Sequence, residues 1–372
     1  MMIRYYITLL AIIPIFLFAC GDSEKDPTPV TVFDITFEPA QLTFTSDVGE
    51  KEIVIQSNRY YTISSNQSWC TITPTVGYAD ETTTIKVNVT TNNTTSERTA
   101  TLTFSRGADK KEYIIKQEAG KEVNYVPSGY TLVWQDEFND PRTNEGKAVL
   151  PNSTEWFYET AAPGWVNNEL QTYIAGHRGT DTCAMIYDGS LKIIAKKIGK
   201  EILSARVNTN KSWQYGYFEA RLKLPGGKGT WPAFWMMPKN FTAWPDDGEI
   251  DIMEYVGYQK DVTHSAIHTK SYNHSINTQK EAEKAVPDLE TEFHVYALEW
   301  TVDKITTYID GKVVFTFEND KKGNKDTWPF NAPFYLKLNL AWGGNWGGAQ
   351  GVDESALPAT YEIDYVRVYQ KE

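Results

Sequence analysis

Cysteine, histidine and positive charge are all in short supply in this chain. Among 372 residues there are three cysteines and five histidines. Cys20 ends an apolar run, while Cys70 and Cys183 lie far apart, so no disulfide framework follows from the count. The histidines are scattered, and nothing in their distribution suggests a zinc cluster. Thirty-six Lys and Arg stand against 48 Asp and Glu, for a net charge of -12. That field repels nucleic acid and strongly anionic polymers but leaves a neutral polymer unopposed. Hydrophobic residues make up 41%, enough for real cores and too few for a polytopic membrane protein. What the chain has in quantity is aromatic surface: 12 Trp and 22 Tyr, a load suited to stacking on sugar faces as well as to core packing.

The N-terminus reads as an export signal over residues 1–20, with Arg4 ahead of an apolar run that closes on Leu17-Phe18-Ala19-Cys20. That run is too short for a comfortable transmembrane span. Its end resembles a lipobox, which implies cleavage before Cys20, lipidation of Cys20, and a membrane contact made only through that anchor. The acidic residues 21–26 resemble the surface-export signals of some Gram-negative lipoproteins, so the expected location is the outer membrane, facing outward. Residues 21–30, with Pro27 and Pro29, form an extended tether.

Residues 31–119 carry short β-type segments at 53–55, 83–89, 100–104 and 113–117, separated by polar turns. This is the rhythm of a small Ig-like β-sandwich. Trp69 in Asn66-Gln67-Ser68-Trp69-Cys70-Thr71-Ile72, together with Asn92, Arg98 and Gln117, resembles the BACON module. Trp69 is expected to pack in the core, and the module to serve as a spacer. Residues 120–129 read as a linker.

From residue 130 to 372 the chain is rich in strand signals and poor in helix signals, with turn pairs such as Asp188-Gly189 and Asp310-Gly311. Such a run suits two curved, stacked antiparallel sheets, a concanavalin-type β-jelly roll. Its densest chemistry is Glu249-Ile250-Asp251-Ile252-Met253-Glu254. Acidic and apolar residues alternate at period two as far as Met253, which reads as a half-buried strand with Glu249 and Asp251 on one face. Glu254 has the wrong parity to join them. One extra residue, a β-bulge near Ile252-Met253, brings it back to the same face. Three acids on one face repel one another and are costly unless they are used.

The whole of this domain resembles glycoside hydrolase family 16, in its laminarinase-like branch. The resemblance is carried by Trp134-Gln135-Asp136-Glu137-Phe138, Asn167-Asn168-Glu169-Leu170-Gln171, Tyr215-Gly216-Tyr217-Phe218-Glu219, Gly229-Thr230-Trp231-Pro232-Ala233-Phe234-Trp235, the acidic strand, Asn339-Leu340-Ala341-Trp342-Gly343-Gly344 and Asp364-Tyr365-Val366-Arg367. It implies Glu249 as nucleophile, Asp251 as assisting residue and Glu254 as acid/base, with Met253 as the inserted residue of the bulged motif. Retaining glycosidases need two carboxyls about 5–5.5 Å apart. One bulged residue leaves the two Glu Cα atoms some 13 Å apart, a gap that two long side chains largely close.

The matching loops imply substrate contacts from Trp231, Trp235 and Trp244, hydrogen bonds from Asn168 and Arg206, a cleft histidine at His268 near the acid/base, and Trp342 and Trp346 in a Gly-rich loop lining the cleft. Glu169 and Glu219 are expected to be structural. Many family members hold one structural calcium, with matching positions at Glu137, the Gly189 carbonyl and Asp364; no cofactor is implied for catalysis. The expectation is a monomeric, endo-acting retaining enzyme on β-1,3-glucan or mixed β-1,3/1,4-glucan. An endo-β-galactosidase on galactan or poly-N-acetyllactosamine is the alternative, and a surface glycan-binding protein without catalysis the second.

Overall fold

The computed structural model describes residues 32–92, 97–120, 123–145 and 147–371. The export signal, Cys20 and the tether lie outside the described residues. No helix among the described residues is long and apolar enough to cross a membrane.

The N-terminal strands form a four-stranded and a five-stranded sheet. Period-two burial drives them: Ile53 and Ile55, Ile85 and Val87, and Leu102 and Phe104 are buried, with polar residues between them turned outward. Three motif residues of this segment prove to be a polar clasp. The buried Gln117 amide donates to the carbonyls of Ser46, Asp47 and Thr90, while its oxygen accepts from Arg98 Nε at 2.9 Å. Asn92 donates to the Glu118 carbonyl at 2.8 Å. Trp69 is half-buried.

The C-terminal strands form a ten-stranded and a seven-stranded sheet, as expected of a jelly roll. Alternate residues of both sheets share one core, among them Phe234, Met236, Ile250, Ile267, Leu336 and Leu338 from the seven-stranded sheet and Ile193, Phe218, Leu298, Ile363 and Val368 from the other. The seven-stranded sheet runs in the order Trp156–Tyr158, Arg206–Thr209, Phe334–Trp342, Thr230–Pro238, Glu249–Tyr255, Val262–His268, Lys280–Ala285. Residues of opposite parity to its core positions form the floor of a cleft of about 980 Å³. The acidic strand lies near the middle of that floor.

Candidate active site

Cross-strand register writes the cleft floor as rows. One row runs Lys337, Trp235, Asp251, Ala266, Glu281, and the next Arg206, Asn339, Ala233, Glu254, His264, Glu283. Glu254 occupies its row only because the strand is bulged. Asp251 pairs with Ala266 and Glu254 with His264, so three steps on the acidic strand match two on its neighbour. The opposite neighbour shows the same slip: Trp235 pairs with Asp251, and Phe234 with Met253. The residue skipped on that side is Ile252, so the inserted position is Ile252 rather than the expected Met253. Ile252 and Met253 are both buried, and Ser265 Oγ donates to the Ile252 carbonyl at 2.8 Å. The extra residue is therefore stitched into the core, and all three acids line the cleft.

The three carboxyls have unequal surroundings. Glu249 Oε2 accepts from the Trp244 indole at 3.2 Å, and Glu254 Oε1 from the Trp231 indole at 3.0 Å. His268 Nε2 lies 3.3 Å from Asp251 Oδ2 and 3.9 Å from Glu249 Oε1. Burial, and then the charge of Asp251, push the Glu249 carboxyl up to about 8, against the pull of His268, the Trp244 N–H and Lys337. Burial likewise pushes Asp251 up to about 8. Glu254 is held well above the ordinary carboxylate range by burial, by Asp251 and by Glu249, with His268 and the Trp231 N–H opposing. Three desolvated acids this close cannot all ionise at neutral pH. Glu249 has the larger company of cations and donors and is the better placed to carry charge; Glu254 is the better placed to keep a proton.

Arg206 and Trp235 lie in the cleft as expected. The Arg206 guanidinium lies 4.9, 4.6 and 5.4 Å from the ring centres of Trp165, Tyr173 and Trp235. Its nearest carboxylates, Glu159 and Glu169, are 3.6 and 3.8 Å away. The buried Arg206 Nε has no protein acceptor. The Trp235 indole donates to Asn339 Oδ1 at 2.7 Å, which fixes the ring. Trp346 lines the cleft edge-on to Trp231 at 5.4 Å.

Other expectations need correction. Trp342 is not a cleft residue: it is fully buried, at the end of a strand whose even positions face the core. Gly229 makes room for it, since a Cβ there would sit 2.9 Å from the indole with φ at +111°. Asn168 is exposed and donates to Asn345 Oδ1 at 2.8 Å, while the adjacent Asn167 lines the cleft. His268 contacts Asp251 and Glu249 rather than the acid/base, whose cross-strand partner is His264. Trp231 and Trp244 hold the carboxylates by their N–H groups as well as offering ring faces. Glu169 is buried in the cleft wall, accepting from Gln171 and Tyr173 at 2.7 and 3.2 Å, whereas Glu219 accepts from Tyr369 on the other sheet. Sequence reasoning passed over Lys337, Glu159, His264, Glu281 and Glu283, all of which line the cleft. Strand parity was the signal for four of them: Lys337 shares it with Asn339, His264 with His268, and Glu281 and Glu283 with each other. His264 and His268 also stand four residues apart, a spacing that pairs ligands on a helix but on a strand separates them by about 13 Å.

The expected cation positions do converge. The strand Ala359–Lys371 pairs on one edge with Gly216–Lys223 along most of its length. Ser190–Ile198 takes positions 359–363 of the other edge and Tyr130–Asp136 takes 366–371, so Gly189 and Glu137 meet beside Asp364. Both carboxylates already have arginine partners there: Glu137 is held by Arg367 at 2.6 and 2.9 Å, and Asp364 Oδ2 by Arg221 at 2.7 Å. Burial and the charge of Glu137 still raise the Asp364 carboxyl. The side chain of Asp364 and the backbone carbonyls nearby are oxygen donors, the hard kind that suits a calcium-like ion.

Comparison with known proteins agrees with this geometry. Residues 174–367 match Glycosyl hydrolases family 16, and residues 59–118 match the BACON family, described as a putative binding domain. A β-glucanase of Rhodothermus marinus is 44% identical over 254 residues, covering 65% of this chain and 85% of that protein. A glucan endo-1,3-beta-glucosidase of Cryptopygus antarcticus is 34% identical, covering 65% of this chain and 93% of that one. Among solved structures, a non-specific endo-beta-1,3(4)-glucanase of the same family superposes with a TM-score of 0.61 at 46% identity, over 66% of this chain and 93% of that one. With a catalytic-type acidic strand in a jelly roll and relatives that match almost end to end, this chain belongs to glycosyl hydrolase family 16 and is a glycoside hydrolase.

Proposed function

We propose that the chain is an endo-acting, retaining β-glucanase on β-1,3-glucan or mixed β-1,3/1,4-glucan. The observation that carries this is the bulge, which sets Glu249 and Glu254 on one wall of an open cleft in unequal surroundings. Glu249 attacks the anomeric carbon while the glycosidic C–O bond breaks, and the leaving oxygen takes the proton of Glu254. Glu254, now ionised, deprotonates a water that attacks the same carbon and releases Glu249. Asp251, 3.3 Å from His268, is the assisting group: it raises the acid's proton affinity. Trp235, beside the Arg206 guanidinium, supplies a ring for a neutral pyranose, and the named glucanase relatives support glucan as the polymer.

One relative, a keratan-sulfate endo-1,4-beta-galactosidase of Sphingobacterium multivorum, is 32% identical and only 55% covered. Glu281 and Glu283 in the cleft, and the net charge of -12, weigh against a sulfated chain here. The fit of residues 137, 189 and 364 supports a calcium ion that stiffens the other sheet and takes no part in the reaction. Lipidation at Cys20, a tether over residues 21–30, a spacer module over residues 31–119 and a monomeric state complete the reading of an enzyme held outside the cell. A screen on laminarin, barley β-glucan, agarose and mucin glycans with product sizing tests the polymer. Glu249→Gln and Glu254→Gln are each expected to lower turnover by about 10³-fold or more while oligosaccharide binding stays measurable. Turnover like that of the wild type in either variant removes the mechanism.

A further inference from the structure

We propose that Lys337 is a positioning residue for the nucleophile, a buried ammonium that clamps the Trp235 platform and favours the ionised form of Glu249. The inference rests on the assignment of Glu249 as nucleophile. Lys337 is the one charged residue of the strand Phe334–Trp342, whose even positions face the core. At 2% exposed it is among the most deeply buried charged side chains of the chain, and an ammonium so placed is costly unless it is paired.

Its partners all belong to the cleft. Nζ lies 2.6 Å from Glu159 Oε2, 4.8 Å from the Trp235 ring centre and 5.0 Å from that of Tyr335. Glu159 Oε2 is in turn 3.6 Å from Arg206, so one carboxylate is shared between two cations and does not fully neutralise either. In register Lys337 sits one residue from Asp251, with Trp235 between them. The indole is thus pinned on one side by an ammonium over its face and at its N–H by Asn339. A cation in so dry a wall acts over a longer range than one in water.

The groups facing Glu249 are Asp251 and Glu254, which oppose its ionisation, and His268, the Trp244 N–H and Lys337, which favour it. Those facing Lys337 are Glu159, Arg206, Tyr335 and Glu249. Burial lowers the Lys337 ammonium to about 8, with Arg206 adding to the shift and Glu159 and Glu249 countering it.

The test is the pH profile of kcat/KM on laminarin for the full chain and four variants. Lys337→Met is expected to move the acid limb to higher pH by about half a unit or more, because an opposite charge near the nucleophile is lost. Lys337→Arg is expected to restore the limb, because arginine keeps a positive charge at the same place, and Lys337→Gln to move it as Lys337→Met does. An unmoved limb in Lys337→Met, or no recovery in Lys337→Arg, overturns the proposal whatever happens to kcat. If Lys337→Met does not fold, Lys337→Gln takes its place: an upward shift supports the proposal and an unmoved limb overturns it. The fourth variant, Glu249→Gln, separates the two claims. If it stays inactive while the limbs do not move, only the role of Lys337 fails; if it turns over, the nucleophile assignment itself fails.

Discussion

At the scale of residues, the site is a set of acids made uncomfortable on purpose, with two tryptophan N–H groups and one histidine limiting the discomfort. This has a consequence for stability as well as for rate. The folded-state pKa of Glu249 is raised to about 8, above its value in the unfolded chain. The stability it contributes is complete below about pH 4.5 and is lost as pH rises towards 8, because the unfolded chain releases the proton first. Glu249→Gln cannot ionise. It is therefore expected to melt about 2–4 °C or more above the wild type at pH 8, the shift of roughly 1 kcal/mol in a domain of this size, and level with it at pH 4. Paired thermal melts at the two pH values check this. A gain that is equal at both would point to packing instead of charge.

At the scale of elements, the bulge is the feature on which the chemistry turns. Deleting Ile252 leaves Glu-Ile-Asp-Met-Glu, an unbroken strand in which Glu254 regains the parity of Glu249 and Asp251, so the three acids stay on the cleft face. That variant is expected to keep measurable activity. Deleting Ile252 and Met253 together instead turns Glu254 to the core face, and is expected to abolish activity and to cost about 3 kcal/mol or more, since a carboxyl enters an apolar core without a partner. Turnover and denaturant unfolding measure both, and a stable, active double-deletion variant would contradict the parity argument. The bulge was legible in the sequence because parity alone sets Glu254 against Glu249 and Asp251. The same parity applied to residues 334–342 separates buried Trp342 from cleft-facing Lys337 and Asn339, but the glycines after Trp342 look like a loop and hide that the strand reaches it. The strand Arg206–Thr209 gives no alternation at all, because all four residues are buried, so Arg206 was reachable only through the family resemblance. Glu159 sits just beyond a three-residue strand, and only the folded chain brings it to Lys337.

At the scale of the whole molecule, two β-rich segments divide the work. The polar clasp of Gln117, Arg98 and Asn92 gives these motif residues of the first a structural role. In the second, the cleft sheet carries the reaction and the other sheet carries the oxygen donors around Asp364. If calcium sits there, chelation by EDTA lowers Tm by several degrees, and added Ca2+ restores it better than Mg2+, which demands a tighter octahedral shell. A melt indifferent to EDTA and Ca2+ would leave the arginine pairs as the whole of that site.

The most direct test of the central claim is the anomeric configuration of the first product, followed by proton NMR during hydrolysis of laminarin. Double displacement through Glu249 predicts the β-anomer first, with the α-anomer growing in only by mutarotation. An α-anomer at the earliest time points would contradict a Glu249 nucleophile and the geometry argued for the bulged strand.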